Sequence, residues 1–209
     1  MSVPDRSIDP RLLSAAKEEF LKKGYKMASL AEICRAAGVT TGALYKRYEG
    51  KEDLFSALVE ATVREMEERA ATVREADISQ LTDRQLYDSF SMTPGSIRQW
   101  MKILEKRRDG FTLLVRCASG TRYENFHHDW AETMNELNYK YYREARRRGM
   151  TDRELSREEM LVLSSAVWAM YFEPFYHDFS PEQIGRQTVF MHDFISWPRV
   201  LALKEPDHG

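Results

Sequence analysis

The chain is expected to be all-α, with a small helical domain over residues 1–50 followed by a larger one over residues 51–209. Three observations predict this. Apolar residues return every three or four positions through most of the chain, which is the spacing of one helix face. Serine, threonine or aspartate caps open these stretches, and glycines close them. No segment alternates like a strand ladder, and no internal repeat is present.

The first helix opens at Asp9-Pro10, an N-cap followed by the proline favoured in a first turn. Leu13, Ala16 and Phe20, with Leu12 beside them, form its core stripe, and Gly24 ends it. Lys22, Lys23 and Lys26 crowd that end. A solvated cluster favouring the helix C-terminus is preferred there over phosphate contact.

Ser29 followed by Glu32 is a capping-box signature, and Leu30, Ile33, Cys34 and Ala37 give the next short helix its apolar face. Gly38 can take the left-handed conformation that stops it. Val39 plugs the turn, and Thr40 is an N-cap for a second short helix, TTGALYKRY. Two short helices joined by a tight glycine turn form a helix-turn-helix unit, whose second helix enters the DNA major groove. Thr40, Thr41 and Gly42 give that helix a small polar leading end. Leu44 faces inward, while Tyr45, Lys46 and Tyr48 add phenols and a cation. Gly42 costs roughly 1 kcal/mol relative to alanine inside a helix, so its presence suits close approach of another backbone.

Taken together, SLAEICRAAGVTTGALYKRYEGKEDLF and the helix before it resemble the N-terminal domain of TetR-type transcriptional repressors, over roughly residues 10–60. Cys34, Tyr48 and Gly50 depart from that pattern, where Ala, Phe and a Ser or Asn cap are usual. Cysteine is small enough for the helix contact and glycine is an acceptable cap. Tyr48 can pack inward or turn its hydroxyl to a phosphate. The resemblance implies that Ser29, Tyr45, Tyr48 and Lys51 contact phosphates, while Thr40, Thr41, Gly42 and Lys46 face the groove. It also implies a homodimer on a palindromic DNA operator, and a body that binds a small-molecule effector.

From Lys51 a long helix is expected to about Ala76, with Leu54, Phe55, Leu58, Val59, Thr62 and Met66 inward. A short weak helix over 80–93 ends at Pro94-Gly95. SIRQWMKILEKRRD follows, with Ile97, Trp100, Met101 and Leu104 on one side. GFTLLVRCASG is apolar enough for a buried helix or an extended segment, and periodicity does not separate the two. TRYENF is expected to open a long helix to about Arg148, closed by Gly149. Its arginine-rich end is read as exposed and dipole-favourable. The stretch GTRYENF resembles one found in a subset of the family, with no role attached. Ser156 and Glu159 form another capping box, and the helix they open is apolar on two faces. One face could line a core or cavity and the other could meet a partner. A last helix is expected from Pro181 to about Leu201. The count is nine or ten helices.

Composition narrows the function. Residues 1–51 hold 10 Lys/Arg against 6 Asp/Glu, a balance of +4, so the net charge of −2 leaves −6 on the remainder. A basic head on an acidic body suits local phosphate contact. No apolar run approaches a membrane span, and Met1–Pro10 lacks a signal peptide's apolar stretch. Cys34 and Cys117 read as small buried residues of a reducing cytoplasm. His127-His128-Asp129, His177-Asp178 and His192-Asp193 lack the i, i+4 spacing of a zinc site, and no nucleophile elbow, P-loop or GxGxxG is present. No enzyme, metal or cofactor is therefore expected.

The body is rich in large aromatics. As effector contacts the candidates are Trp100, Phe111, Trp130, Tyr171 and Glu173, around an apolar or amphipathic ligand. Glu173 either pairs with a cationic ligand or reaches solvent where Pro174 bends its helix. The expected function is a ligand-responsive repressor that dimerises through its last two helices. The alternative is an architectural or activator protein whose body binds a protein partner.

Overall fold

The computed structural model describes residues 8–206, so most of Met1–Pro10 lies outside the described residues. Among them there are helices and turns and no strand. The helices are α1 (Ile8–Met27), α2 (Leu30–Ala37), α3 (Thr41–Tyr45), α4 (Lys51–Glu75), α5 (Asp83–Ser89), α6 (Pro94–Lys106), α7 (Arg108–Thr112), α8 (Phe126–Arg147), α9 (Arg157–Tyr176), α10 (Pro181–Phe194) and α11 (Trp197–Val200). Packing gathers the chain into two compact units. One holds the residues up to Met66 with Arg107–Phe126, and the other holds Glu67–Lys106 with the residues from His127 onward.

In the first unit the core is built from the stripes of α1, α2 and α4. Leu12, Ala16, Phe20, Ile33, Leu44, Leu54, Phe55 and Val59 are buried. Gly24, at φ 71 and ψ 165, breaks α1 where expected, and a last turn follows it. Phe55 meets Phe20 at 5.2 Å and Tyr25 at 5.6 Å, both edge to face, so α4 is keyed onto the end of α1. GFTLLVRCASG resolves as the end of α7 running into a π-helical turn, Leu113–Cys117, with Leu113, Leu114, Val115 and Cys117 buried. Gly110 approaches α4 so closely that an added Cβ would lie 2.3 Å from Thr62 Oγ1 and 3.2 Å from the Leu58 carbonyl oxygen.

TRYENF forms turns, and α8 starts only at Phe126. Local hydrogen bonding is the reason. Thr121 Oγ1 donates to the Ala118 carbonyl at 2.7 Å and accepts from the Tyr123 N–H at 3.0 Å. These side-chain bonds compete with helix formation. The same loop docks inside its unit: the Arg122 N–H donates to Glu52 Oε1 at 2.9 Å, and Tyr123 stands 6.3 Å from Phe55. Gly120, at φ +88, takes the Lys26 stem where a Cβ would sit, 2.9 Å from Cε.

In the second unit Leu86, Phe90, Tyr142, Ala145, Met150, Met160, Trp197 and Leu201 form a common core. Tyr142 donates to the Arg153 carbonyl at 2.7 Å and accepts from the Leu155 N–H at 2.8 Å, which ties the loop after α8 to that helix. The capping box Ser156/Glu159 opens α9 as expected, and Ser180/Gln183 opens α10 in the same way. The last helix stops short of expectation. It ends at Phe194, and α11 begins after Ser196 because Pro198 lacks an N–H and would clash with the carbonyl of Phe194. With α7 and α11 recognised, the described α-helices number eleven.

Arg148 closes the far end of α8. Its guanidinium donates to the carbonyls of Ile78, Ser79 and Leu81, and it is oriented by Glu144 and Asp83. Hydrogen bonds from Arg147 and Arg148 hold the Glu144 carboxyl down at about 2. A folded value below the ordinary ~4.3 of glutamate means that ionised Glu144 stabilises the fold above that pH, and that the gain is lost as pH falls towards 2. Urea midpoints should therefore favour the natural chain over Glu144→Gln at pH 6, with the gap shrinking below about pH 4.3 and closing near 2. A gap independent of pH would assign the effect to shape and not to charge.

Candidate nucleic-acid interface

The α2–α3 pair is set by three end contacts. Ser29 Oγ accepts from the Glu32 N–H at 3.5 Å, the expected half of the capping box. The other half differs. Glu32 pairs with Arg35, and the Ser29 N–H donates instead to Glu19 Oε1 of α1 at 3.2 Å. Glu19 also receives Lys23 at 2.8 Å, a hydrogen bond that is the main reason its carboxyl lies below the ordinary range. A carboxylate already held by a lysine thus substitutes for the local one. Gly38 adopts φ 64 and ψ 37, and its N–H closes α2 on Arg35 O. Arg11 reaches the same helix end, donating to the Ala37 carbonyl at 3.3 Å.

Thr40 caps α3 through the Ala43 N–H at 3.2 Å. The helix is shorter than the TTGALYKRY stretch, spanning Thr41–Tyr45 with Lys46 as its C-cap. Leu44 is fully buried and anchors it. Thr40, Thr41, Gly42 and Lys46 are exposed, as is Tyr45 at 56%. A Cβ on Gly42 would meet only Thr40 Oγ1, at 4.0 Å. Nothing inside the fold requires glycine there, and the open side faces outward.

The remaining candidates are partly engaged. Tyr48 is half-buried, and its phenol is pushed up by burial and then by Asp9 and Asp53. Lys51 Nζ donates to the carbonyls of Lys26 at 3.2 Å and Ala28 at 3.0 Å, and stands 4.6 Å from the centre of the Tyr25 ring. Two of its three donors therefore fix the turn before α2. Arg47 has a bracing role that sequence reasoning missed. Its Nε lies 2.8 Å from Asp9 Oδ1, and its Nη1 donates to the Ala43 carbonyl at 3.3 Å, so it braces the end of α3 against the start of α1. The only signal was Asp9 itself, which reads more simply as a cap.

The candidate effector residues divide between the units. Phe111 is fully buried in the first, at 6.2 Å from Phe126. Trp100, Trp130 and Tyr171 belong to the second, where Trp168, missed in the sequence reading of the site, links them. Trp100, Trp130 and Trp168 form a closed triangle with ring centres 5.1 to 6.2 Å apart, and Tyr171 lies 4.9 Å from Trp168. The Tyr171 phenol is raised by burial. Glu173 takes the solvent option: it is exposed and pairs with His177 at 3.0 Å.

Residues 12–58 match the family described as bacterial regulatory proteins, tetR family. The chain is 42% identical over 48 residues to the HTH-type transcriptional repressor BepR of Brucella suis, and 45% identical over 49 residues to the HTH-type transcriptional regulator AcrR of Shigella flexneri. Each match covers 23% of both chains, so the likeness concerns the head. Solved structures extend the fold to the body. The TetR family regulator PfmR of Thermus thermophilus is 16% identical, with a TM-score of 0.61 over 89% of this chain and 97% of its own. NalD of Pseudomonas aeruginosa, secondary repressor of the MexAB-OprM multidrug efflux pump, is 22% identical, with a TM-score of 0.55 over 91% and 97%. Residues 12–58 therefore match the tetR-family model, and the described chain as a whole shares the fold of solved TetR-family structures.

Proposed function

We propose that this protein is a cytoplasmic transcriptional repressor that binds a palindromic operator as a homodimer and is released by a small-molecule effector. The observation that carries the reading is the outward end of α3. A buried Leu44 anchors a helix whose Thr41, Gly42, Tyr45 and Lys46 are all exposed, with open space over the one glycine. That surface reads bases, while Ser29, Tyr48 and Lys51 lie beside phosphates and Thr40 completes the leading end. Phosphate contacts fix the register of such a helix and base contacts give it sequence preference. Residues 1–50 form the DNA-binding part in this reading, and residues 51–209 bind effector and partner.

The dimer reading is supported by an apolar face on the last two long helices. Val162 of α9 and Val189, Phe190 and Phe194 of α10 are exposed, Phe194 at 81%. Beside them Leu163, Ala166, Val167 and Met170 line a groove with Phe194, Ile195, Trp197 and Val200. Isolated exposed apolar residues are ordinary, but a continuous patch on adjoining helices marks an interaction surface. A second copy offering the same patch buries it by two-fold symmetry, which brings two α3 helices to successive major grooves about 34–36 Å apart. Effector binding moves α4 and changes that spacing, provided the effector prefers one spacing over the other.

Three outcomes are expected. On an operator selected from random duplexes, Gly42→Ala should weaken binding while thermal stability stays level or rises, since alanine favours a helix by about 1 kcal/mol. Lys46→Ala and Tyr45→Phe should also weaken it without loss of stability. A base contact at Lys46 costs roughly 1–3 kcal/mol and relaxes one position, whereas a phosphate contact flattens the salt dependence. Unaltered binding by all three variants would reject α3 as the reading helix. In sedimentation, Phe190→Glu with Phe194→Glu should give monomers that keep their helicity, and a persisting dimer would place the interface elsewhere. Finally, calorimetric titration of an effector with and without operator should give affinities that differ by the same factor as operator affinity with and without effector. Equal effector affinities would make the compound a passenger.

A further inference from the structure

We infer that the groove along α8 binds a small organic phosphate, with the phosphate held by Arg143, Arg147 and Arg157 and a flat ring laid on Tyr139 and Ile78. The groove shares no residue with the tryptophan triangle or with the apolar patch of α9 and α10. It therefore stands or falls independently of the effector reading.

The groove belongs to the second unit and has a volume of about 450 Å³, within the range of small-molecule sites. Tyr139, Lys140, Arg143 and Arg147 line it from one stripe of α8, because positions three and four apart share a helix face. Ile78, in the loop after α4, and Arg157, at the start of α9, join them, together with the carboxylates of Glu136 and Glu144. Four cations against two carboxylates leave an excess of two positive charges.

The acids here are already engaged. Glu136 meets Arg157 at 2.8 Å, and Glu144 meets both Arg147 and Arg148 at 2.7 Å. Asp77, beside Ile78, accepts from the N–H and hydroxyl of Ser79. Lys140 commits two donors to the carbonyls of Arg74 and Ala76. Arg143 differs. It is exposed, and among the described residues it makes no ion pair or hydrogen bond.

Helix electrostatics does not account for this excess. The dipole favours cations in a last turn, which Arg146 and Arg147 occupy in α8, and Arg143 lies before it. Arg157 stands in the first turn of α9, where the dipole opposes a cation. Its pair with Glu136 is more than half exposed on both sides and adds little to the fold. A phosphate ester carries about two negative charges near pH 7 and cancels the excess, whereas a carboxylate cancels half of it. Guanidinium forks also match phosphate oxygens in pairs. Tyr139 is half-buried, with its ring 5.7 Å from that of Tyr142, and beside Ile78 it offers a fixed apolar face for a flat ring. A concave groove of this size takes one small molecule, while a duplex needs an extended basic surface.

The test uses the full chain and three probes, AMP, adenosine and inorganic phosphate, titrated by calorimetry at low salt. AMP should bind about tenfold more tightly than adenosine, which lacks the charge, and than phosphate, which lacks the ring. Arg143→Gln should weaken AMP on the order of tenfold, the worth of a hydrogen bond to a charged group, and leave adenosine unchanged. Arg143→Lys should retain part of the affinity, since it keeps the charge and loses the fork. Added salt should weaken AMP and spare adenosine. Without ligand, Arg143→Gln should melt with the natural chain, which separates lost binding from lost fold. Adenosine or phosphate binding as tightly as AMP, AMP affinity unmoved by Arg143→Gln, or no saturation by AMP would overturn the inference. A non-operator duplex that loses affinity in Arg143→Gln while AMP does not would make the groove a nucleic-acid surface, and would overturn it as well.

Discussion

Phe55 is the contact on which the first unit depends. Its ring is fully buried on the first turns of α4 and touches Phe20 and Tyr25 from the end of α1 and Tyr123 from the loop before α8. Aromatic burial of this kind contributes both area and edge-to-face geometry, so it fixes direction as well as distance. The polar contacts around it follow. Lys51 can cap the carbonyls of Lys26 and Ala28 because Tyr25 is held under its ammonium, and Glu52 can receive the Arg122 N–H because the loop is seated by Tyr123.

Around that anchor several helix ends are also held by side chains from other elements. Glu19 takes the N–H of Ser29, Arg11 takes the carbonyl of Ala37, and Arg47 spans from α3 to Asp9. A five-residue helix has too few internal hydrogen bonds to be stable by itself. These contacts and the buried Leu44 hold α3 in place, and they leave Thr41, Gly42, Tyr45 and Lys46 with their side chains in solvent. The side chains at the outward face of α3 are those that the fold does not use.

The second unit follows the opposite rule. Its far end is heavily satisfied, with Arg148 closing three carbonyls and Tyr142 bridging a loop, so that region is rigid and specified. Elsewhere in the unit Trp130 Nε1 and Asn135 Oδ1 are buried without a hydrogen-bond partner.

The sequence by itself determined the helical class, the order of most helices and the family likeness of residues 12–58. Apolar spacing, the caps at Ser29, Thr40, Ser156 and Ser180, and the left-handed Gly38 are local properties, set within one or two turns of chain. The matched residues 12–58 owe their legibility to the same local chemistry. What only the tertiary structure decided were the choices between partners far apart in sequence. Glu19 displaced Glu32 from the cap, Lys51 turned to backbone carbonyls, and TRYENF gave up its helix to seat a loop against Glu52. Of the candidate effector residues, Trp100, Trp130 and Tyr171 gathered around Trp168, Phe111 joined the other unit's core, and Glu173 went to solvent. Periodicity tells which side chains are buried but not against what, because a helix face carries no record of the face it will meet.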